Sequence, residues 1–83
     1  MENITLTELS REKNQISATY IVGSHIDDKG YISMTLDANK WTVNKEELPN
    51  CDANREYAKE VINALKGIYY ISPTPIKSII LCF

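Results

Sequence analysis

Apolar and polar residues alternate along the first half of the chain, and a period of two predicts β-strands. In segment 16–23, Ile16, Ala18, Tyr20 and Val22 fall on one face, with Ser17, Thr19 and Ile21 on the other. In 31–36, Ile32, Met34 and Leu36 oppose Tyr31, Ser33 and Thr35. A third strand near 40–44 places Trp41 and Val43 on one side. Strands with one dry and one wet face suit an antiparallel sheet, and these three form a meander. Asp27-Asp28-Lys29-Gly30 and Asp37-Ala38-Asn39 read as the turns between them, with Gly30 expected to supply a positive φ. Segment 3–10 carries two patterns at once. Ile4 and Leu6 alternate with Thr5 and Thr7 as in a strand, whereas Thr5 with Glu8, and Leu6 with Leu9, have the spacing of a capped helix. The strand is the preferred reading, with a hairpin turning at Lys13-Asn14.

The period changes after Pro49-Asn50. Tyr57, Val61 and Leu65 recur every four residues, and Ala58 and Ile62 widen that stripe, so 52–66 reads as an amphipathic helix. Asp52 is the expected N-cap, because its carboxylate can accept from a free backbone N–H and complement the helix dipole. Gly67 is the expected stop. Ile68-Tyr69-Tyr70-Ile71-Ser72 then reads as a strand from its β-branched and aromatic composition, and Ser72-Pro73-Thr74-Pro75 as a turn. A last strand, 76–82, is apolar on both faces. The expected architecture is α+β: an antiparallel meander sheet of five or six strands with one amphipathic helix packed on one face, in the order β-β-β-β-α-β-β. Residues 1–83 make a single domain in this reading, since 83 residues are too few for two cores.

Charge narrows the function classes. Nine basic against eleven acidic residues leave a net charge of −2, mixed along the chain with no run of five or more like charges. That balance lacks the basic excess of a nucleic-acid binder and the dense anionic surface of a DNA mimic. Neither does any stretch approach the roughly 20 apolar residues of a membrane span. Residues 1–15 show no secretory pattern, so Cys51 and Cys82 are expected as reduced thiols in a cytoplasm.

Candidate chemistry is sparse. His25, the lone histidine, has no partner at metal-ligand spacing and reads as part of a polar loop; no metal or cofactor is expected. Cys51 ahead of the helix could pair with His25 as nucleophile and base, but the spacing gives no support, and a small apolar role is the simpler reading. Without a catalytic set, the expected function is binding. Trp41, Tyr69 and Tyr70 are the aromatic anchors expected at a protein interface, and Glu46, Glu47 and Asp52 an acidic contact patch beside them. The favoured reading is a non-enzymatic module that occludes or modulates a partner protein, of the kind phages and other mobile elements use against host machinery. The alternatives are a nucleic-acid binder stacking bases on strand tyrosines Tyr20, Tyr31, Tyr69 and Tyr70, and a small thiol enzyme. The apolar 76–82 strand also leaves homodimerisation open.

The helix stripe makes a direct prediction. Burial of a leucine side chain is worth about 1.5–3 kcal/mol, and a carboxylate in its place adds a desolvation penalty. Leu65→Asp should therefore abolish the cooperative thermal melt followed by circular dichroism; a melt like that of the unaltered protein would mean the stripe is not core.

Overall fold

A computed structural model describes residues 3–24, 26–71 and 78–81. Four strands form an antiparallel meander: β1 (Ile4–Glu12), β2 (Gln15–Val22), β3 (Gly30–Asp37) and β4 (Lys40–Glu47). Helix α1 (Asn54–Ile71) follows, and β5 (Ser78–Leu81) pairs antiparallel with the start of β1. The sheet order is β4-β3-β2-β1-β5, so among the described residues β4 has β3 as its one neighbour. The α+β class, with one helix over one face of an antiparallel sheet, is as the residue pattern implies.

Segment 3–10 is a strand, and the first hairpin turns at Lys13-Asn14 as expected. The competing helical spacing has a structural meaning. Thr7 pairs with Thr19 but Ser10 with Ser17, so β1 carries one residue more than β2 over this interval. Glu8, at φ 50°, is the extra residue of a β-bulge. The bulge shifts the alternation by one, which returns Leu9 to the buried face beside Ile4 and Leu6. Thr19 Oγ1 donates to the Glu8 carboxylate at 3.1 Å and holds the bulge from the opposite face. The β3–β4 turn is a two-residue loop with positive φ at both Ala38 and Asn39, the geometry whose twist matches a tight hairpin.

Gly30 departs from expectation. It is the first residue of β3, and its φ is not positive. Its cross-strand partner is Tyr20, and a Cβ there would come within 2.2 Å of the Tyr20 ring. The glycine gives the buried ring room rather than shaping the turn.

The second half of the chain requires two larger corrections. Asp52 is not the N-cap: it lies in the turn before the helix, and the Ala53 carbonyl accepts the first helical bonds, from the Glu56 and Tyr57 amides. The entry is anchored through the buried Pro49, whose carbonyl accepts from the Cys51 amide and the Asn54 side chain. Nor does the helix stop at Gly67. It continues to Ile71, so the expected strand 68–72 is helical over its described residues and the order is β-β-β-β-α-β. The physical reason lies in the stripe: Ile68 and Tyr69 stand three and four residues beyond Leu65 and pack against the same core. Burial on the helical period outweighs the strand preference of an Ile-Tyr-Tyr-Ile run. The Ser72-Pro73-Thr74-Pro75 turn, the ends of the 76–82 strand, His25 and Cys82 lie outside the described residues.

The core is the space between α1 and the inner sheet face. Tyr57, Ala58, Val61 and Leu65 of α1 meet Ile4, Leu6, Leu9, Ile16, Ala18, Tyr20, Val22, Ile32 and Met34. The helix packs mainly over β1, β2 and β3 and reaches β4 where Tyr69 meets Trp41, and most of β4 is exposed.

Gly67 provides a test of the helix extension. It sits in the helix interior on the exposed side, with nothing within 4 Å of where a Cβ would stand. Glycine costs about 1 kcal/mol relative to alanine in such a position. Gly67→Ala should stabilise the protein by about that amount in urea unfolding; a loss of stability would contradict a continuous helix.

Candidate functional site

Arg11, Trp41, Tyr69 and Tyr70 gather at the end of the molecule where β1 finishes, β4 begins and α1 ends. Each arrives for a traceable reason. The Glu8 bulge puts Arg11 on the helix side of the sheet, paired with the core residue Ile16. The tight Ala38–Asn39 turn brings Trp41 opposite Leu36. The extended helix then delivers Tyr69 between them.

Tyr69 is the hub. Its ring meets Trp41 edge to face, with centroids 5.1 Å apart at 89°, and meets Tyr70 in the same manner at 5.3 Å and 85°. These are favourable geometries for aromatic pairs. The Arg11 guanidinium lies 4.0 Å above the Tyr69 ring. Arg11 Nε also donates to the Tyr69 carbonyl at 3.1 Å, and the Tyr69 hydroxyl donates to the Lys13 carbonyl at 2.9 Å. The carbonyls of the last helical turn have no partner within the helix, and α1 has no basic residue in that turn. Arg11, from the far end of the sequence, supplies the hydrogen bond and a positive charge at the negative end of the dipole.

On this fixed base the outer residues are open. Tyr70 is 66% exposed and Ile71 83% exposed, while Trp41 and Tyr69 are half-buried beneath them. Trp41, Tyr69 and Tyr70 are therefore brought together. The acidic residues expected beside them are not. Glu46 and Glu47 lie at the opposite end of β4 and point to opposite sides of the sheet, opposite Ile32 and Tyr31 respectively. Asp52 lies before the N-terminus of α1. Eight residues of strand span roughly 25 Å, and α1 covers about the same length, so these carboxylates are at the far end of the domain. The reading from sequence missed Arg11 and Ile71. Arg11 carried no local signal, because its role depends on a bulge and on a helix end more than 50 residues away.

Glu46 lines a different feature, an open cleft of about 400 Å³ between β4 and α1, with Arg55, Glu56, Ala58, Lys59 and Ile62. Two acids and two bases leave it with no net charge to recruit an ion. Close by, Tyr20 is fully buried, and among the described residues its hydroxyl has no hydrogen-bond partner. Burial pushes its pKa up to about 12, with Glu46 and then Cys51 adding to the shift. The four tyrosines considered as a base-stacking platform share no sheet face. Tyr20 is in the core, Tyr31 is on the outer face with Lys45 Nζ 5.6 Å from its ring, and Tyr69 and Tyr70 are on the helix. Cys51 is half-buried, and among the described residues no three His, Cys, Asp or Glu side chains group as metal ligands. Among the described residues, no helix is long and apolar enough to cross a membrane. Comparison with protein-family models, curated proteins and solved structures finds no match to this chain.

The raised Tyr20 pKa has a consequence for stability. The folded state holds this proton up to about pH 12, whereas the unfolded chain releases it near 10. The linked stability is fully present below pH 10 and is lost as pH rises from 10 through 12. Tyr20→Phe should flatten that decline in urea unfolding at pH 8 to 12 and leave stability near neutral pH unchanged or raised; an identical alkaline decline in both proteins would refute the assignment.

Proposed function

We propose that the domain is a protein-binding module without catalytic activity of its own, which engages a partner through the Trp41–Tyr69–Tyr70 surface. The observation that carries this reading is a solvent-facing Tyr70 and Ile71 next to Tyr69, which hydrogen bonds with Arg11 and Lys13 tie to the end of β1. Tyrosine, tryptophan and arginine dominate the binding energy of protein interfaces, because they bury large area for little rotamer entropy. A rigid base lowers the ordering cost of association. Binding there would cover Tyr70 and Ile71 and act on the partner by occluding the surface it contacts. The acidic residues Glu46, Glu47 and Asp52 are not part of this surface.

Tagged protein retained on a resin and exposed to nuclease-treated host lysate should capture a protein that survives a high-salt wash. Tyr70→Ala with Ile71→Ala should remove it, by about 2 kcal/mol or more in affinity if Tyr70 is an anchor. Because both side chains face solvent, the thermal melt should stay within a few degrees of the unaltered protein. Equal capture by the variant would sink this surface, and recovery of nucleic acid alone would sink the protein-binding reading.

A further inference from the structure

Among the described residues β4 ends the sheet with one hydrogen-bonded neighbour, so its outer edge presents a row of backbone donors and acceptors. Its residues are exposed nearly throughout, and Val43 is 42% exposed. Charges and bulges on such a strand ordinarily discourage pairing. Here both are placed so that the strand is complementary to itself.

The bulge comes first. Val43 pairs with Met34 but Lys45 with Ser33, so Asn44 is an extra residue and shares one ladder position with Lys45. Asn44 Nδ2 donates to Thr35 Oγ1, which keeps that side chain on the outer face. The eight residues of β4 thus occupy seven ladder positions, and the fourth is Val43. In antiparallel pairing with a second β4, the midpoint places Val43 opposite Val43. Thr42 then faces the Asn44–Lys45 bulge, Trp41 faces Glu46, and Lys40 faces Glu47. Every opposed pair lies on the same side of the sheet: Lys40 and Glu47 on the outer face with their partners Asp37 and Tyr31, Trp41 and Glu46 on the helix face with Leu36 and Ile32. A regular eight-residue strand has its midpoint between two residues and would oppose residues of opposite faces. The bulge removes that conflict, and the opposed end charges are of unlike sign at both ends.

We infer that two copies of this chain pair through their β4 edges about a two-fold axis at Val43, with Lys40 of each copy opposite Glu47 of the other. The backbone bonds supply the affinity, Val43 is covered at the axis, and the charge pairs set the register. An axis normal to the sheet keeps both helices on one side, so the two aromatic surfaces face the same way. The inference does not rest on those surfaces: Trp41 is common to both, but the residues that set the axis and register, Lys40, Val43 and Glu47, lie outside them.

Sedimentation equilibrium of the full chain should show a monomer–dimer equilibrium. Lys40→Glu and Glu47→Lys each turn two attractive pairs into two repulsive ones and should each weaken dimerisation by about tenfold or more. Mixed one to one, the two variants should form a heterodimer, because every opposed end pair is again of unlike sign; the double variant should regain the homodimer. Circular dichroism confirms that each variant is folded. Val43→Cys, in a background with Cys51→Ser and Cys82→Ser, should cross-link to itself under mild oxidation, because opposed strand residues lie within disulfide range. Thr7→Cys, on the outer face of β1, should not. A monomer at all concentrations, with or without another protein's strand on this edge, overturns the inference. So does a dimer that is indifferent to the charge reversals, or a mixture of the two variants that stays monomeric.

Discussion

One helix must cover the hydrophobic face of the meander, and it does so with a stripe that runs through Tyr57, Val61 and Leu65 to Ile68 and Tyr69. The constraint is geometric. The sheet buries Ile4, Leu6, Ile16, Tyr20, Ile32 and Met34 on its inner side, and α1 is the element laid across them. A helix that ended at Gly67 would leave the Arg11 and Trp41 end of the sheet without Tyr69 against it. The start of α1 is held by the turn that precedes it and its end by β1 and the first hairpin turn. Pro49 and Ala53 receive the first amides, and Arg11 and Lys13 fasten Tyr69 at the last turn.

Two bulges, one in β1 and one in β4, set what those strands can present. At Glu8 the extra residue brings Leu9 into the core and Arg11 to the helix end. At Asn44 it carries Lys45 and Glu47 to the outer face and leaves Glu46 on the helix side, at the mouth of the cleft. In each case a side-chain hydrogen bond to a neighbouring strand secures the irregularity, Thr19 to Glu8 and Asn44 to Thr35. The polar surface is therefore organised by local backbone geometry. A one-residue change of phase moves every following side chain to the other face, which is why bulges matter more here than the identity of any single exposed residue.

Binding and pairing draw on separate parts of the fold. The aromatic surface depends on convergence of β1, β4 and the helix end. The β4 edge depends on topology, because the meander ends there. Neither depends on a cleft, and the deeply buried Tyr20, whose pKa is pushed up to about 12, takes part in neither.

Local pattern by itself determined most of the first half. Alternation of apolar residues located β2 and β3 and their buried faces, and turn residues located both tight hairpins, because strand period and turn chemistry are properties of adjacent residues. It also located the helix and four of its core positions. It failed where a local preference competed with a distant contact. Gly67 and the Ile-Tyr-Tyr-Ile run favour a stop and a strand, yet Leu65, Ile68 and Tyr69 gain burial only once the sheet is present to receive them. Gly30 looked like a turn residue until the Tyr20 ring was seen to occupy the space of its side chain. The aromatic members of the candidate surface were legible as residue types suited to an interface. Their meeting, the part played by Arg11, and the separation of Glu46, Glu47 and Asp52 from them were decided by tertiary structure. A patch is a sum over strand register, bulge phase and helix length, and no window of neighbouring residues contains that sum.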